Sequence, residues 1–156
     1  MVRMFAIAVS ATALTASAAA FAQQQGNAQE AKAMLDRAVA AVKTDKAKAL
    51  DMFDKGQGGF LDRDLYVFCN NVADGKLVAI GNPNAKQLLG KDGRTFKDDA
   101  GKAYGQELFR AGQKPEGQVT EVTDYLISRP SHPKPVPKNS FVTRAGDIYC
   151  GVGYYK

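Results

Sequence analysis

The single histidine of the chain limits the chemistry that its side chains can perform. This residue, His132, precedes Pro133 in a proline-rich stretch. A metal site with several imidazoles and the HExxH motif are both excluded. A Ser-His-Asp triad would need the same histidine, and the chain has no Gly-x-Ser-x-Gly motif. We interpret His132 as a solvated loop residue and expect no catalytic residue, metal site, cofactor or enzymatic activity.

Lys138 is the residue whose surroundings best suit a binding site. It ends the stretch RPSHPKPVPK, in which four prolines and two lysines fall within nine residues. We expect the prolines to form an extended connection between two strands, which presents Lys138 at the rim of a sheet. Lys138, Tyr125 and Arg144 are the candidate ligand-binding residues, directed toward one face. The alternatives are a surface linker for the prolines and an edge-strand charge that prevents aggregation for Lys138.

Two cysteines, Cys69 in LYVFCNN and Cys150 in DIYCGVGYY, lie in strand-like segments. If those strands are neighbours, the two sulfurs can meet without backbone strain. In an oxidising compartment we therefore predict a Cys69–Cys150 disulfide. The alternative is a pair of buried free thiols, because cysteine also behaves as a small apolar residue.

The terminal CGVGYY motif contains two glycines, Gly151 and Gly153. A Gly-x-Gly motif at the end of a strand cannot open a phosphate-binding helix. We expect these glycines to mark the close approach of another backbone or side chain to the strand.

Helical spacing dominates the first part of the chain, residues 28–55. Leu35, Ala38 and Val42 form an apolar stripe at intervals of three and four residues. After them, Asp45 either caps a second helix or only marks a bend in the first. Three glycines then end the helical pattern.

The remainder of the chain predicts strands. A long ordered loop and a short helix, residues 82–102 and 103–112, interrupt them. Together these elements predict an α+β domain, in which an N-terminal helix packs on a five-stranded antiparallel sheet with a covering loop and a short helix. The five predicted strands are residues 65–71, 76–81, 118–128, 139–144 and 147–155.

The first residues have the features of a secretory signal peptide. Arg3 precedes an apolar run over residues 4–14, and small residues lead to Ala22. We predict a signal peptide over residues 1–22, cleavage after Ala22, and one domain over residues 23–156 that is periplasmic or secreted. The alternative is an uncleaved membrane anchor, but the run is too short to span a bilayer comfortably. No second apolar run follows, so we expect no stable membrane insertion.

The formal net charge of the chain is +5. Its basic residues are interleaved with acidic ones and form no basic block. Such a distribution does not favour nucleic-acid binding, and export argues further against it.

The motifs in their order resemble the single Cache domain family, the exported PAS-like sensor modules of bacteria. The resemblance covers about residues 28–155 and rests on residues 66–112, VPKNSFV and DIYCGVGYY. It implies a helix packed on a five-stranded PAS-like sheet, with a small organic ligand, often a short carboxylate, bound under the covering loops. It also implies that Lys138 contacts that carboxylate. Ile80 and Ile127 stand where the family often has histidine and tryptophan, so the pocket takes another ligand, or none.

The resemblance implies an exported sensor or binding module for a small organic acid. Because we see no transmembrane segment or output domain after Tyr155, we expect it to signal through a separate partner, a membrane receptor or a sensor kinase, or to hold a ligand without signalling. The alternative is an interaction or structural protein of the same fold without a working pocket. An exported enzyme is a third hypothesis, for which the sequence shows no nucleophile and base within plausible reach of each other.

Overall fold

The computed structural model describes residues 25–156. The predicted signal peptide and its cleavage after Ala22 lie outside the described residues. Within residues 25–156, no helix has both the length and the apolar character needed to cross a bilayer.

Two helices open the described part of the chain, α1 (Ala28–Thr44) and α2 (Lys46–Lys55). Asn27 caps α1 in a reciprocal capping box with Glu30. The side chain of Asp45 accepts a backbone N–H from the first turn of α2. Of the two alternatives for Asp45, the cap of a second helix is therefore correct.

The sheet is antiparallel and has six strands. The strands are β1 (Leu61–Asp62), β2 (Leu65–Asn71), β3 (Leu77–Ile80), β4 (Thr120–Arg129), β5 (His132–Ala145) and β6 (Ile148–Tyr155). They run in the order β1-β2-β6-β5-β4, and β3 also pairs with β2. All five predicted strands are present, and a two-residue strand, β1, is added. The α+β fold class is confirmed.

The proline-rich segment is the first half of β5, so its prediction as a connection or linker between strands was wrong. It pairs with β4, with Val136 opposite Ile127. The carbonyl of Pro137 accepts a hydrogen bond from the backbone of Lys156, so the proline nitrogen faces the same side as β6. Pairing with β6 begins only at Lys138. The prolines, which have no backbone N–H to donate, therefore lie along a free edge of the sheet, where a strand tolerates proline. His132 begins this strand and is exposed.

The sheet has two differently covered faces. The helix face packs against α1 and α2 and includes Val67, Cys69, Ile148, Cys150 and Val152. The opposite, covered face lies under residues 83–112, which we call the covering segment. This segment consists of two short 3-10 helices, Pro83–Leu88 and Gly93–Thr95, and helix α3 (Tyr104–Gly112). The covered face includes Tyr66, Phe68, Tyr125, Val142 and Tyr149.

Cys69 and Cys150 form a disulfide between β2 and β6. They are directly opposite in the ladder, and each is 0% exposed. The predicted bridge is confirmed, and the free-thiol alternative is wrong. The bond is part of the core on the helix face.

Candidate functional site

A cavity of about 80 Å³ lies between the covered face and the covering segment. Most of its lining side chains are aromatic or aliphatic. Apart from tyrosine hydroxyls, its polar side chains are Asn70, Asn82 and Lys138. Concave, mostly apolar sites with a few polar groups are typical of small-molecule binding. Within residues 25–156, no cluster of His, Cys, Asp and Glu side chains is large enough to hold a metal ion.

Lys138 is buried in the wall of this cavity, with only 1% of its surface exposed. Its backbone pairs on one side with Tyr125 of β4 and on the other with Tyr155 of β6. The prediction that it lies at the rim of the sheet was therefore wrong, and so was the edge-strand alternative. The fully paired part of β5 places the ammonium inside the molecule.

The Lys138 ammonium lies over aromatic rings instead of beside a carboxylate. Its Nζ is 3.9 Å from the centroid of the Tyr66 ring and 4.9 Å from that of the Tyr155 ring. Among residues 25–156, no Asp or Glu forms a salt bridge with it. A buried charge without a partner costs several kcal/mol, of which cation–π contacts offset roughly 0.5 to 2. The arrangement therefore favours a bound anion.

Tyr66 is itself altered by this neighbour. Burial alone would raise the pKa of its phenol, but the Lys138 ammonium outweighs burial and holds that pKa below its ordinary value. The side chains of Asn82 and Tyr155 also lie beside the Tyr66 hydroxyl and lower the same pKa. Several donors thus converge at the Lys138 end of the cavity.

The two glycines of β6 make room for the side chains of the cavity. A Cβ on Gly153 would lie 2.1 Å from Cε of Lys138, and one on Gly151 would lie 2.3 Å from Cζ of Phe68. No side chain heavier than hydrogen fits at either position without displacing its neighbour. The expectation that these glycines mark close approach to the strand is confirmed.

Tyr125 forms part of the wall beside Lys138. Its hydroxyl lies 2.5 Å from Oγ of Ser140, and its ring stacks on Tyr104 of α3 at a centroid distance of 4.8 Å. Burial raises the pKa of this hydroxyl. Tyr125 is therefore a neutral, fixed side chain that lines the cavity and joins the sheet to its cover.

Arg144 is not brought to the cavity. It follows Lys138 on β5 by an even number of residues, so it shares the same face, but it lies roughly 20 Å farther along the strand. Its Nε donates a 2.8 Å hydrogen bond to the carbonyl of Gly146 in the turn between β5 and β6. Arg144 therefore shares a face with Lys138 but does not line the cavity.

Several lining residues were missed by sequence reasoning. Tyr66 and Phe68 lie in a strand whose first six residues are all buried. The strand therefore has no alternation of polar and apolar residues that could show which side chains face the cavity. Asn82 was interpreted only as the start of the long ordered loop, whereas its side chain caps the first 3-10 helix and lines the cavity. Ile80 and Ile127, noted only as departures from the family pattern, both line the cavity.

The covering segment is fastened to the rest of the fold at its first 3-10 helix. Nζ of Lys86 lies 2.8 Å from Oδ1 of Asp54 and also donates to the carbonyls of Asp54 and Ile80. Nδ2 of Asn84 donates a 2.7 Å bond to the carbonyl of Pro130, at the tip of the β4–β5 hairpin. These contacts hold the cover over the end of the cavity near β3.

Asp98 fastens the other part of the cover. Its Oδ2 accepts a 2.9 Å hydrogen bond from the backbone of Leu126 in β4. Its Oδ1 accepts from the backbones of Lys102 and Ala100, at 2.8 and 3.0 Å. The Leu126 N–H, with those of Lys102 and Ala100, holds the pKa of this carboxyl below its ordinary value. The ionised form of Asp98 therefore anchors the loop before α3 to the sheet.

Comparisons with solved structures find the same fold in bacterial sensors. The chain is similar to a periplasmic sensor domain of a chemotaxis protein, with 25% identity, a TM-score of 0.60, and coverage of 81% of this chain and 88% of that one. A methyl-accepting chemotaxis protein from Vibrio parahaemolyticus RIMD 2210633 matches with 23% identity, a TM-score of 0.65, and coverage of 81% and 86%.

A third structure, described as the structural basis for carboxylic acid recognition by a Cache chemosensory domain, matches with 20% identity and a TM-score of 0.59. It covers 81% of this chain and 86% of its own. Comparison with curated proteins found no match. The family model described as Single Cache domain 2 matches residues 6–155, nearly the whole chain. The chain therefore belongs to the single Cache domain family.

Proposed function

We propose that the protein is an exported sensor module that binds a short carboxylate in the cavity and reports it to a signalling partner. The observation that carries the proposal is the buried ammonium of Lys138, which opens on the cavity and has no carboxylate partner among residues 25–156. The third structural neighbour, described as a Cache chemosensory domain that recognises a carboxylic acid, supports the ligand class. The proposal includes no chemical step.

A carboxylate is the anion that suits this site best. It can accept a charge-assisted hydrogen bond from Lys138, and such a bond contributes about 1.5 to 3 kcal/mol. The aromatic wall and the cover exclude much of the water that would screen this contact. The Asn82 amide and the Tyr66 hydroxyl, which lie together beside Lys138, can provide further donors.

The partner and the location are part of the same proposal. One structural neighbour is a periplasmic sensor domain of a chemotaxis protein and another is a methyl-accepting chemotaxis protein, which supports a membrane receptor or a sensor kinase as the partner. We place the mature domain at residues 23–156, in the periplasm or secreted, after removal of residues 1–22.

The test compares Lys138→Ala with Lys134→Ala. Lys134 is in the same strand and carries the same charge but is exposed, so it controls for general electrostatic attraction. Calorimetric titration with acetate, propionate and butyrate should show ten- to hundredfold weaker binding for Lys138→Ala. Binding to Lys134→Ala should match the parent. Equal losses for both variants would contradict a specific contact, and no binding by the parent would favour an interaction module without a working pocket.

A further inference from the structure

Resting on that proposed function, we infer that the ligand is a monocarboxylate with an unsubstituted hydrocarbon tail of about three carbons. We assign Ile80 and Ile127 as the residues that select this tail. The inference comes from the charge, the polarity and the volume of the cavity wall, taken in turn.

The charge of the wall selects a single carboxylate. Lys138 is the only charged side chain that lines the cavity within the described part of the chain. A second carboxylate would be buried without a cation, and an ammonium group would be buried without an anion, because no Asp or Glu lines the wall. An unpaired buried charge is strongly unfavourable. Dicarboxylates and amino acids should therefore bind at least a hundredfold more weakly than a simple acid of equal length.

The polarity of the wall selects a hydrocarbon tail. Ile80 is 7% exposed and Ile127 is partly buried, and neither can form a hydrogen bond with a substituent on the ligand. Of the two amides in the wall, Asn70 donates to the carbonyl of Gly75, and the oxygen of Asn82 accepts from the backbone of Asn84, which leaves the NH2 group of Asn82 for the carboxylate. A hydroxyl on the part of the tail that packs against the two isoleucines would lose its water without gaining a partner from them. A hydroxy acid should therefore bind about tenfold more weakly than its unsubstituted analogue.

The volume of the cavity limits the length of the tail. One water-sized group needs about 10 to 15 Å³ of such space, so a cavity of about 80 Å³ holds about six such groups. Butyrate has about that number of non-hydrogen atoms. Each methylene that leaves water should improve binding about fourfold until the cavity is full. Affinity should therefore rise by about tenfold or more from acetate to butyrate.

Four acids with the same carbon count test the inference by calorimetric titration of the mature protein. They are butyrate, 3-hydroxybutyrate, 4-aminobutyrate and succinate, with acetate as the short reference. We expect butyrate to bind most tightly, 3-hydroxybutyrate about tenfold more weakly, and the other two at least a hundredfold more weakly.

Threonine variants test the two isoleucines. Ile127→Thr and Ile80→Thr each place a hydroxyl in the wall and shorten the side chain by one carbon, so each should reduce the preference for butyrate over 3-hydroxybutyrate severalfold. Val78→Thr is the matched control, because Val78 lies in the same strand as Ile80 but does not line the cavity. Melting curves of all three variants identify any loss that comes from misfolding.

The outcomes separate the inference from the function on which it rests. If succinate or 4-aminobutyrate binds as tightly as butyrate, the inference is overturned and the proposed function stands. If the parent binds none of the five acids, both are overturned. A butyrate preference that is unchanged in folded Ile80→Thr and Ile127→Thr proteins overturns the assignment of these residues.

Discussion

The two faces of the sheet are built from the same strands but from different side chains. On the helix face, the buried cluster is aliphatic apart from two phenylalanines and the disulfide. On the covered face, the cluster contains four tyrosines, and a buried lysine lies beside it. The helix face packs against residues of α1 and α2, whereas the covered face encloses a cavity.

This difference shows how the two faces of one sheet can have separate roles, one in stability and the other in binding. Successive residues of a strand point to opposite faces, so Tyr66 faces the cavity while Val67 faces the helices. An apolar, cross-linked face can stabilise the fold without help from the other. The covered face is then free to hold Lys138, a group that weakens a core but suits an anion.

Removing the disulfide tests the stabilising face and should have the largest effect. The double substitution Cys69→Ala and Cys150→Ala opens a bridge between residues 81 apart in sequence. Loss of the cross-link should lower the free energy of unfolding by roughly 4 kcal/mol. Urea unfolding of the oxidised parent and the variant measures the difference. Because the cysteines face away from the cavity, butyrate affinity should stay within about twofold at low urea. A folded variant that no longer binds butyrate would contradict the separation of the faces.

Substituting Gly153 by alanine tests the covered face and should have the next largest effect. The added Cβ would collide with Cε of Lys138 and with Oγ of Ser140, at 2.1 and 2.4 Å. Such overpacking costs about 1 to 3 kcal/mol, and displacement of the ammonium should weaken butyrate binding at least tenfold. Chemical denaturation and calorimetry measure the two effects.

Gly146→Ala is the control for this substitution. Gly146 has a φ of +66° and open space around its Cα. Alanine at this position should lower the free energy of unfolding by about 1 to 2 kcal/mol through backbone strain alone, with unchanged butyrate binding. If Gly146→Ala impairs binding as much as Gly153→Ala does, general destabilisation explains both losses and the collision with Lys138 does not.

Asp98 anchors the cover, and its substitution should have the smallest effect. Its carboxyl has a lowered pKa in the folded protein, so its contribution to stability is complete at a pH above the pKa that it has in the unfolded protein. That contribution is lost as the pH falls through the pKa that the carboxyl has in the folded protein. The difference in unfolding free energy between the parent and Asp98→Ala should therefore be constant between about pH 5 and 7 and shrink below about pH 4. Thermal melts across this range measure it.

Asp99→Ala is the matched control, because the neighbouring Asp99 is exposed. This variant should be as stable as the parent at every pH. A difference for Asp98→Ala that grows as the solution is acidified would show that the ionised carboxylate does not stabilise the cover.

Local patterns in the sequence identify much of the fold. The bounds of β2 are correct to the residue, and the two cysteines and the glycines of β6 behave as predicted. Asp45 forms the helix cap that was one of its two alternatives. Each of these predictions depends on a short-range rule about caps, strand propensity or backbone space. The start of β5 was missed because prolines usually exclude a strand, and only the end of β6 shows that this edge is free.

The site depends on long-range contacts that no local pattern contains. Lys138 meets Tyr66 only because β6 lies between β5 and β2, and because Gly153 leaves a passage for the side chain across β6. Alternation along β5 puts Arg144 on the same face as Lys138, but the position of the cavity along the strand follows from where the cover is anchored. The sequence therefore predicts the candidate lysine but neither its burial nor its aromatic neighbours.

The central claim is that Lys138 is kept for binding at the expense of stability. Melting curves of the parent and Lys138→Met, with and without butyrate, test it most directly. Without ligand, the methionine variant should be more stable by about 1 kcal/mol or more, because it removes a buried unpaired charge while keeping an apolar side chain. Saturating butyrate should raise the melting temperature of the parent alone. A ligand-free variant that melts well below the parent, with no effect of butyrate on either protein, would show that Lys138 is structural and contradict the account.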